Sequence, residues 1–145
     1  MPIRRQSVSA VLFPGYRRSP IFNELAGILR KTSGLADIVA ESLGALASQI
    51  DVVFVYGSIA RGTETAGSDV DLLIIGTVGF GTVVDVLQPA EQQLSREINP
   101  KVFTVREWKA KVKQKNSLVA EIVRQPKIFL LGTDHDLAEL GRHQP

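Results

Sequence analysis

Apolar positions along the chain switch between two periods, and the switches mark the elements. Ile21, Phe22, Leu25, Ile28 and Leu29 share one helical face, and after Ser33-Gly34 the same spacing resumes with Leu35, Ile38, Val39, Leu43 and Leu46. That spacing predicts two consecutive helices, or one long bent helix, packed on a sheet. Ser19 and Pro20 supply a capping hydroxyl and a first helical residue. Val52 to Tyr56 and Val70 to Ile75 are short unbroken apolar runs rich in β-branched and aromatic residues, bounded by Gly57 and Gly76, and read as two neighbouring central strands. Phe80, Val83, Val84 and Leu87 form a helical stripe, and Pro89 is expected to open a further helix through Leu94. Ile98 to Thr104 reads as a third strand, in which Pro100 favours an edge or a bulge. Thr104 and Glu107 have capping-box spacing, so a helix is expected from Val105, burying Trp108 and Val112 and displaying Lys109, Lys111, Lys113 and Lys115. Leu118 to Val123 suggests another helix, stopped at Pro126, and Lys127 to Leu131 a last strand before a short acidic tail helix.

Composition narrows the class. A chain of 145 residues with 44% hydrophobic content is read as one globular unit. The absence of cysteine removes disulfides, thiolate metal sites and cysteine nucleophiles, and fits a reducing cytoplasm. No apolar run approaches the ~18 residues of a membrane span, so no membrane association is expected. The net charge of +2 is unevenly spread: six of the 17 Lys and Arg precede Leu35 against one acid, and eight lie between Lys101 and Lys127 against two. Two basic surfaces follow. Residues 1–19 are read as a basic arm and 20–145 as the folded domain. The lysine run is read first as a solvated face, with contact to a substrate phosphate or an acidic partner as the alternative.

The chemistry concentrates between Asp51 and Gly76. Residues i and i+2 of a strand share a face, so Asp69 and Asp71 project together. Paired carboxylates repel unless a cation lies between them, and oxygen-only ligands suit magnesium. Gly57 allows close backbone approach, and Ser58 is expected to cap a short helix through Ile59, Ala60 and Arg61 whose free N–H groups face an anion. Arg61 adds a positive charge, either for phosphate or for a structural salt bridge, and Thr63 to Ser68 is a polar connection. His135 and His143, in the tail, are read as surface residues.

Gly57-Ser58, ten residues, then Asp69-Val70-Asp71 resembles the signature of the DNA polymerase beta-like nucleotidyltransferase superfamily, most closely its minimal nucleotidyltransferases. A weaker resemblance extends over roughly Pro20 to Leu140. It implies an α+β nucleotidyltransferase fold, a small mixed sheet with helices on one face and the metal site open on the other. It further implies in-line attack of a hydroxyl of a protein or small molecule on a nucleoside triphosphate, with ATP the expected donor, and release of pyrophosphate. Asp69 and Asp71 would be catalytic and hold Mg2+ or Mn2+; Gly57, Ser58, Arg61 and Ser68 would bind the nucleotide. Minimal relatives often act as antitoxins on an all-helical HEPN-type protein, which becomes the expected partner. Some relatives carry a winged helix-turn-helix module in front. Residues 1–19 are too few for one, so specific DNA binding is not expected.

One departure stands out. Fully active members usually have a third carboxylate on the following strand, where this sequence aligns Asn99, which carries no charge and cannot act as a base. Glu97, two positions earlier, is the substitute on the same face. A catalytically lapsed binding module is therefore the alternative function.

Overall fold

A computed structural model describes residues 26–141 except 66, with side chains from Gly34 onward. The basic arm, the helix start at Ser19-Pro20 and His143 lie outside the described residues. The first described helix, α1 (Ala26–Leu43), passes through Ser33-Gly34 without interruption, as the one-helix alternative expects there, while Ile21, Phe22 and Leu25 lie outside the described residues. Glycine inside a helix costs about 0.5–1 kcal/mol relative to alanine. The stripe that follows outweighs this: Ala36, Val39, Ala40 and Leu43 are all buried, and each fully buried large aliphatic contributes about 1.5–3 kcal/mol.

A 3-10 segment, Gly44–Gln49, leads into β1 (Ile50–Tyr56), followed by a one-turn helix α2 (Ser58–Arg61) and β2 (Val70–Gly76). Then come α3 (Phe80–Leu94), β3 (Ile98–Phe103), α4 (Val105–Lys113), α5 (Ser117–Arg124), β4 (Ile128–Leu131) and α6 (Asp134–Gly141). The strands form a mixed sheet in the order β3-β2-β1-β4, with β1 antiparallel to β2 and β4, and β2 parallel to β3. The α+β class and the mixed sheet are as expected.

The distribution of helices differs from the expectation of one covered face. Val53, Val55, Leu72 and Ile74 pack with residues of α1 and α3 on one side. Val52, Phe54, Tyr56, Leu73 and Ile75 pack with Trp108, Val119, Ile122 and Leu137 of α4, α5 and α6 on the other. The cause is visible in the central strands, which are buried at nearly every position and so need cover on both faces. Pro100 sits, as expected, in an edge strand, where a missing N–H is tolerated.

Pro89 does not open a new helix but lies within α3. Its ring removes the hydrogen bond to Asp85, and both residues are exposed, so water can take the orphaned carbonyl. Val83, Leu87 and Ala90 stay buried on the inner face and hold the helix together. The capping box of α4 is present: Glu107 N donates to Thr104 Oγ1 at 3.0 Å, and Thr104 N to Glu107 Oε1 at 2.8 Å. Trp108 is buried against Phe103, with ring centroids 5.8 Å apart. Among the described residues no helix is long and apolar enough to cross a membrane.

Candidate active site

The two central strands bring the sequence-predicted residues to one end of the sheet. Antiparallel pairing places Tyr56, the last residue of β1, opposite Asp71 of β2. Gly57 therefore follows directly beside the Asp71 carboxylate, and a Cβ at position 57 would collide with Asp71 Oδ2. Gly57 also has φ 80° and ψ −153°, a region open essentially only to glycine. Two independent constraints thus require glycine here, and both serve the approach of turn to carboxylate.

Gly57, not Ser58, is the cap of α2, and Ser58 is its first residue; this corrects the expected cap. The twisted Gly57 backbone supplies the cap carbonyl, which accepts from Arg61 N at 3.0 Å. Helix geometry leaves the N–H groups of Ser58, Ile59 and Ala60 without acceptors inside the turn. The Ser58 hydroxyl is half-buried and makes no hydrogen bond among the described residues, so it is open to a ligand. Gln125, just past α5, braces the turn. Its Oε1 accepts from Gly57 N at 3.2 Å and from Arg61 Nη1 at 3.2 Å. Lys127 fixes the end of α5 in turn, donating Nζ to the carbonyls of Val123 at 2.6 Å and Gln125 at 2.9 Å. Among the described residues Arg61 is therefore tied to a neutral amide and makes no ion pair with a carboxylate, the contact that the salt-bridge alternative required.

Asp69 is exposed just before β2, and Asp71 is half-buried. Burial raises the pKa of Asp71; the nearby Lys101 charge lowers it, Asp69 raises it and Arg61 lowers it. Burial also pushes the Tyr56 hydroxyl up to about 12, with Asp71 adding to the effect. The parallel register of β2 and β3 sets Asp71 beside Asn99 and Leu73 beside Lys101. Asn99 Nδ2 donates to Asp69 Oδ2 at 3.1 Å, so Asn99 stands at the carboxylate pair, as the resemblance implied. Glu97 is exposed, and its backbone carbonyl accepts from Val70 N at 2.8 Å.

The loop before Asp69 is held by its own polar groups. Ser68 Oγ accepts from Thr65 N at 2.8 Å, which gives that hydroxyl a bracing contact inside the loop. Arg96 Nη1 donates to the carbonyls of Thr65 at 3.1 Å and Ser68 at 2.8 Å. Gln125, Arg96 and Lys101 are the site residues that sequence reasoning missed. Only Lys101 had a local signal, its two-residue spacing from Asn99. His135 is exposed on α6, 3.9 Å from Glu139, away from this cluster.

Oxygen donors, half-exposed and of the same sign, fit a hard divalent cation that takes one or two protein carboxylates and fills its remaining positions with water and phosphate oxygens. Among the described residues no group of three or more His, Cys, Asp or Glu forms a closed metal cage.

No curated protein matches this chain. Among solved structures, one of a toxin–antitoxin with AMP-PNP matches with a TM-score of 0.52 and 16% identity, covering 73% of this chain and 80% of that one. A mutant of the toxin–antitoxin MntA-HpeT matches with a TM-score of 0.52 and 15% identity over the same shares, 73% and 80%. At such identities the likeness concerns the fold alone. The profile of the nucleotidyltransferase domain matches residues 36–128, more than half of the chain and all of the segment from the glycine turn through the aspartate pair. The chain belongs to the nucleotidyltransferase domain family.

Proposed function

We propose that this protein transfers a nucleoside monophosphate from a nucleoside triphosphate, with ATP as donor, to a hydroxyl of a protein or small molecule, and that it is the antitoxin-like partner of a HEPN-type protein. The observation that carries the transferase reading is the packing of the Asp71 carboxylate against the Gly57 turn. It supports this reading because an acidic edge suited to a metal and the N–H and hydroxyl donors of the turn then lie within one substrate's reach. Asp69 and Asp71 would hold Mg2+ or Mn2+, with the Asn99 carbonyl oxygen as a neutral ligand, since its amide nitrogen is engaged by Asp69. When bound, the metal neutralises charge on the transferring and leaving oxygens. Ser58, the turn N–H groups and Arg61 would orient the outer phosphates, while Ser68 would contribute through the loop it braces. The toxin–antitoxin descriptions of the fold neighbours, one of them with AMP-PNP, support the protein partner and the adenine donor. A cytoplasmic setting rests on the cysteine-free sequence.

Thermal stabilisation by ATP with magnesium tests this reading. A ligand at one hundred times its dissociation constant stabilises by about 2.7 kcal/mol, measurable in a small domain. Asp69→Ala and Asp71→Ala should each abolish the magnesium dependence; metal dependence that survives both would refute the site.

The neutral Asn99 beside the aspartates favours a second reading, a lapsed enzyme that keeps nucleotide or partner binding. Tight magnesium-dependent binding with no label transfer to any acceptor, partner included, would select it.

A further inference from the structure

Strand β3 presents a second side chain to the site that the carboxylate pair does not explain. Lys101 lies two residues beyond Asn99, so the two project from the same side of the strand. Its register partner is Leu73, which places it one diagonal step from Asp71, within reach of a long side chain. Lys101 is half-buried, and among the described residues it makes no hydrogen bond and no ion pair within 4.0 Å. A lysine with an exit to water from an edge strand would ordinarily take it. Here it stays half-buried, on the side of β3 that carries Asn99 and one diagonal step from Asp71.

The charge balance of the cluster then limits what it can hold. Asp69 and Asp71 contribute two negative charges, Asn99 none, and Lys101 one positive charge beside them on the neighbouring strand. A second divalent cation would have to share these two carboxylates with the first and face the positive charge of Lys101. A single divalent cation retains both carboxylates, and the ammonium is left to pair with phosphate oxygen, a use to which lysine is suited as a point charge.

We propose that the site takes one divalent cation per chain, and that Lys101 is a substrate-contacting residue whose ammonium binds the phosphate nearest the aspartates, where a second metal would otherwise be needed. The inference rests on the transferase reading above and deepens it. Lys101 acts with Arg61 from opposite sides of the triphosphate, one from the β3 edge and one from the glycine turn. Lys101 would then add positive charge at the phosphate that the acceptor hydroxyl approaches.

The test is a count of bound Mn2+ by electron paramagnetic resonance in the presence of saturating AMP-PNP, together with AMP-PNP affinity by calorimetry. Wild type should bind one Mn2+ per chain. Lys101→Met keeps the apolar stem and should weaken AMP-PNP roughly tenfold, since a charged hydrogen bond is lost; Lys101→Arg should restore most of it. Lys101→Glu should raise the count towards two. A wild-type count of two overturns the inference while leaving the transferase reading intact. Unchanged affinity in Lys101→Met with an unchanged melting temperature also overturns it. Failure of wild type to bind AMP-PNP with Mn2+ at all removes both readings.

Discussion

Replacing Gly57 with alanine separates the two constraints that act on the turn. The φ of 80° and ψ of −153° place residue 57 in a region where a side chain costs about 1–3 kcal/mol. The added Cβ would in addition overlap Asp71 Oδ2 and approach Asp71 Cγ at 3.2 Å. Overpacking of that kind typically costs about 1–3 kcal/mol. The sum, about 2–6 kcal/mol, is a large part of the 5–15 kcal/mol that usually holds a domain together. Gly57→Ala should therefore unfold at clearly lower urea, with a melting temperature lower by roughly 5–15 °C. The overlap is with one side chain, so it can be removed separately. Asp71→Ala deletes Oδ2 and Cγ and leaves Asp71 Cβ at 3.4 Å, an ordinary contact. In that background Gly57→Ala should cost only the backbone share, and a double-mutant cycle should return a coupling of about 1–3 kcal/mol. An equal cost of Gly57→Ala in both backgrounds, or a cost below about 0.5 kcal/mol in the first, would refute the close packing of turn and carboxylate.

The other expectations follow from single contacts. Thr104→Ala removes one half of the capping box and should cost about 0.5–2 kcal/mol by urea denaturation, without changing nucleotide affinity. Asp71 has a folded-state pKa raised by burial, so the metal-free protein gains stability from its protonation. That contribution is present at low pH and lost as pH rises through the raised value. Asp71→Asn should thus make the metal-free protein more stable at neutral pH and flatten this part of the profile, even as metal binding disappears. For Tyr56, pushed up to about 12 by burial, the contribution is present below its ordinary value of 10.0 and lost between the two, so Tyr56→Phe should flatten the alkaline limb. Asn99→Asp should tighten metal binding and raise transfer, within the ~10²–10⁴-fold reach of general-base help. If Glu97 already serves as the base, Glu97→Ala should abolish turnover and Asn99→Asp should help little.

The strands were legible because β-branched runs bounded by glycine have few other solutions, and the observed spans start or end within two residues of the sequence reading. The same unbroken runs also carried the signal for two covered faces, since an alternating strand would have exposed every second residue. Pro89 misled because its local effect is strong in isolation, whereas burial of Val83, Leu87 and Ala90 outweighs one lost hydrogen bond on the wet side. Asp69, Asp71, Gly57 and Arg61 were singled out through spacing along 15 residues of chain, from 57 to 71. Gln125 was not, because its contact with Gly57 spans 68 positions and arises only when α5 docks beside β1. Arg96 braces Thr65 and Ser68 across gaps of 31 and 28 positions, and no local pattern announces either contact.

The central claim is transfer of a nucleotidyl group by the edge that Asp69 and Asp71 form. It is tested most directly by incubating the protein and candidate acceptors, including the proposed helical partner, with magnesium and ATP labelled at either the α or the γ phosphate. Label from the α position should become fixed to an acceptor, with γ label released as pyrophosphate, and both should vanish in Asp69→Ala and Asp71→Ala. Transfer of γ label, or α-label transfer undiminished by those substitutions, would contradict it.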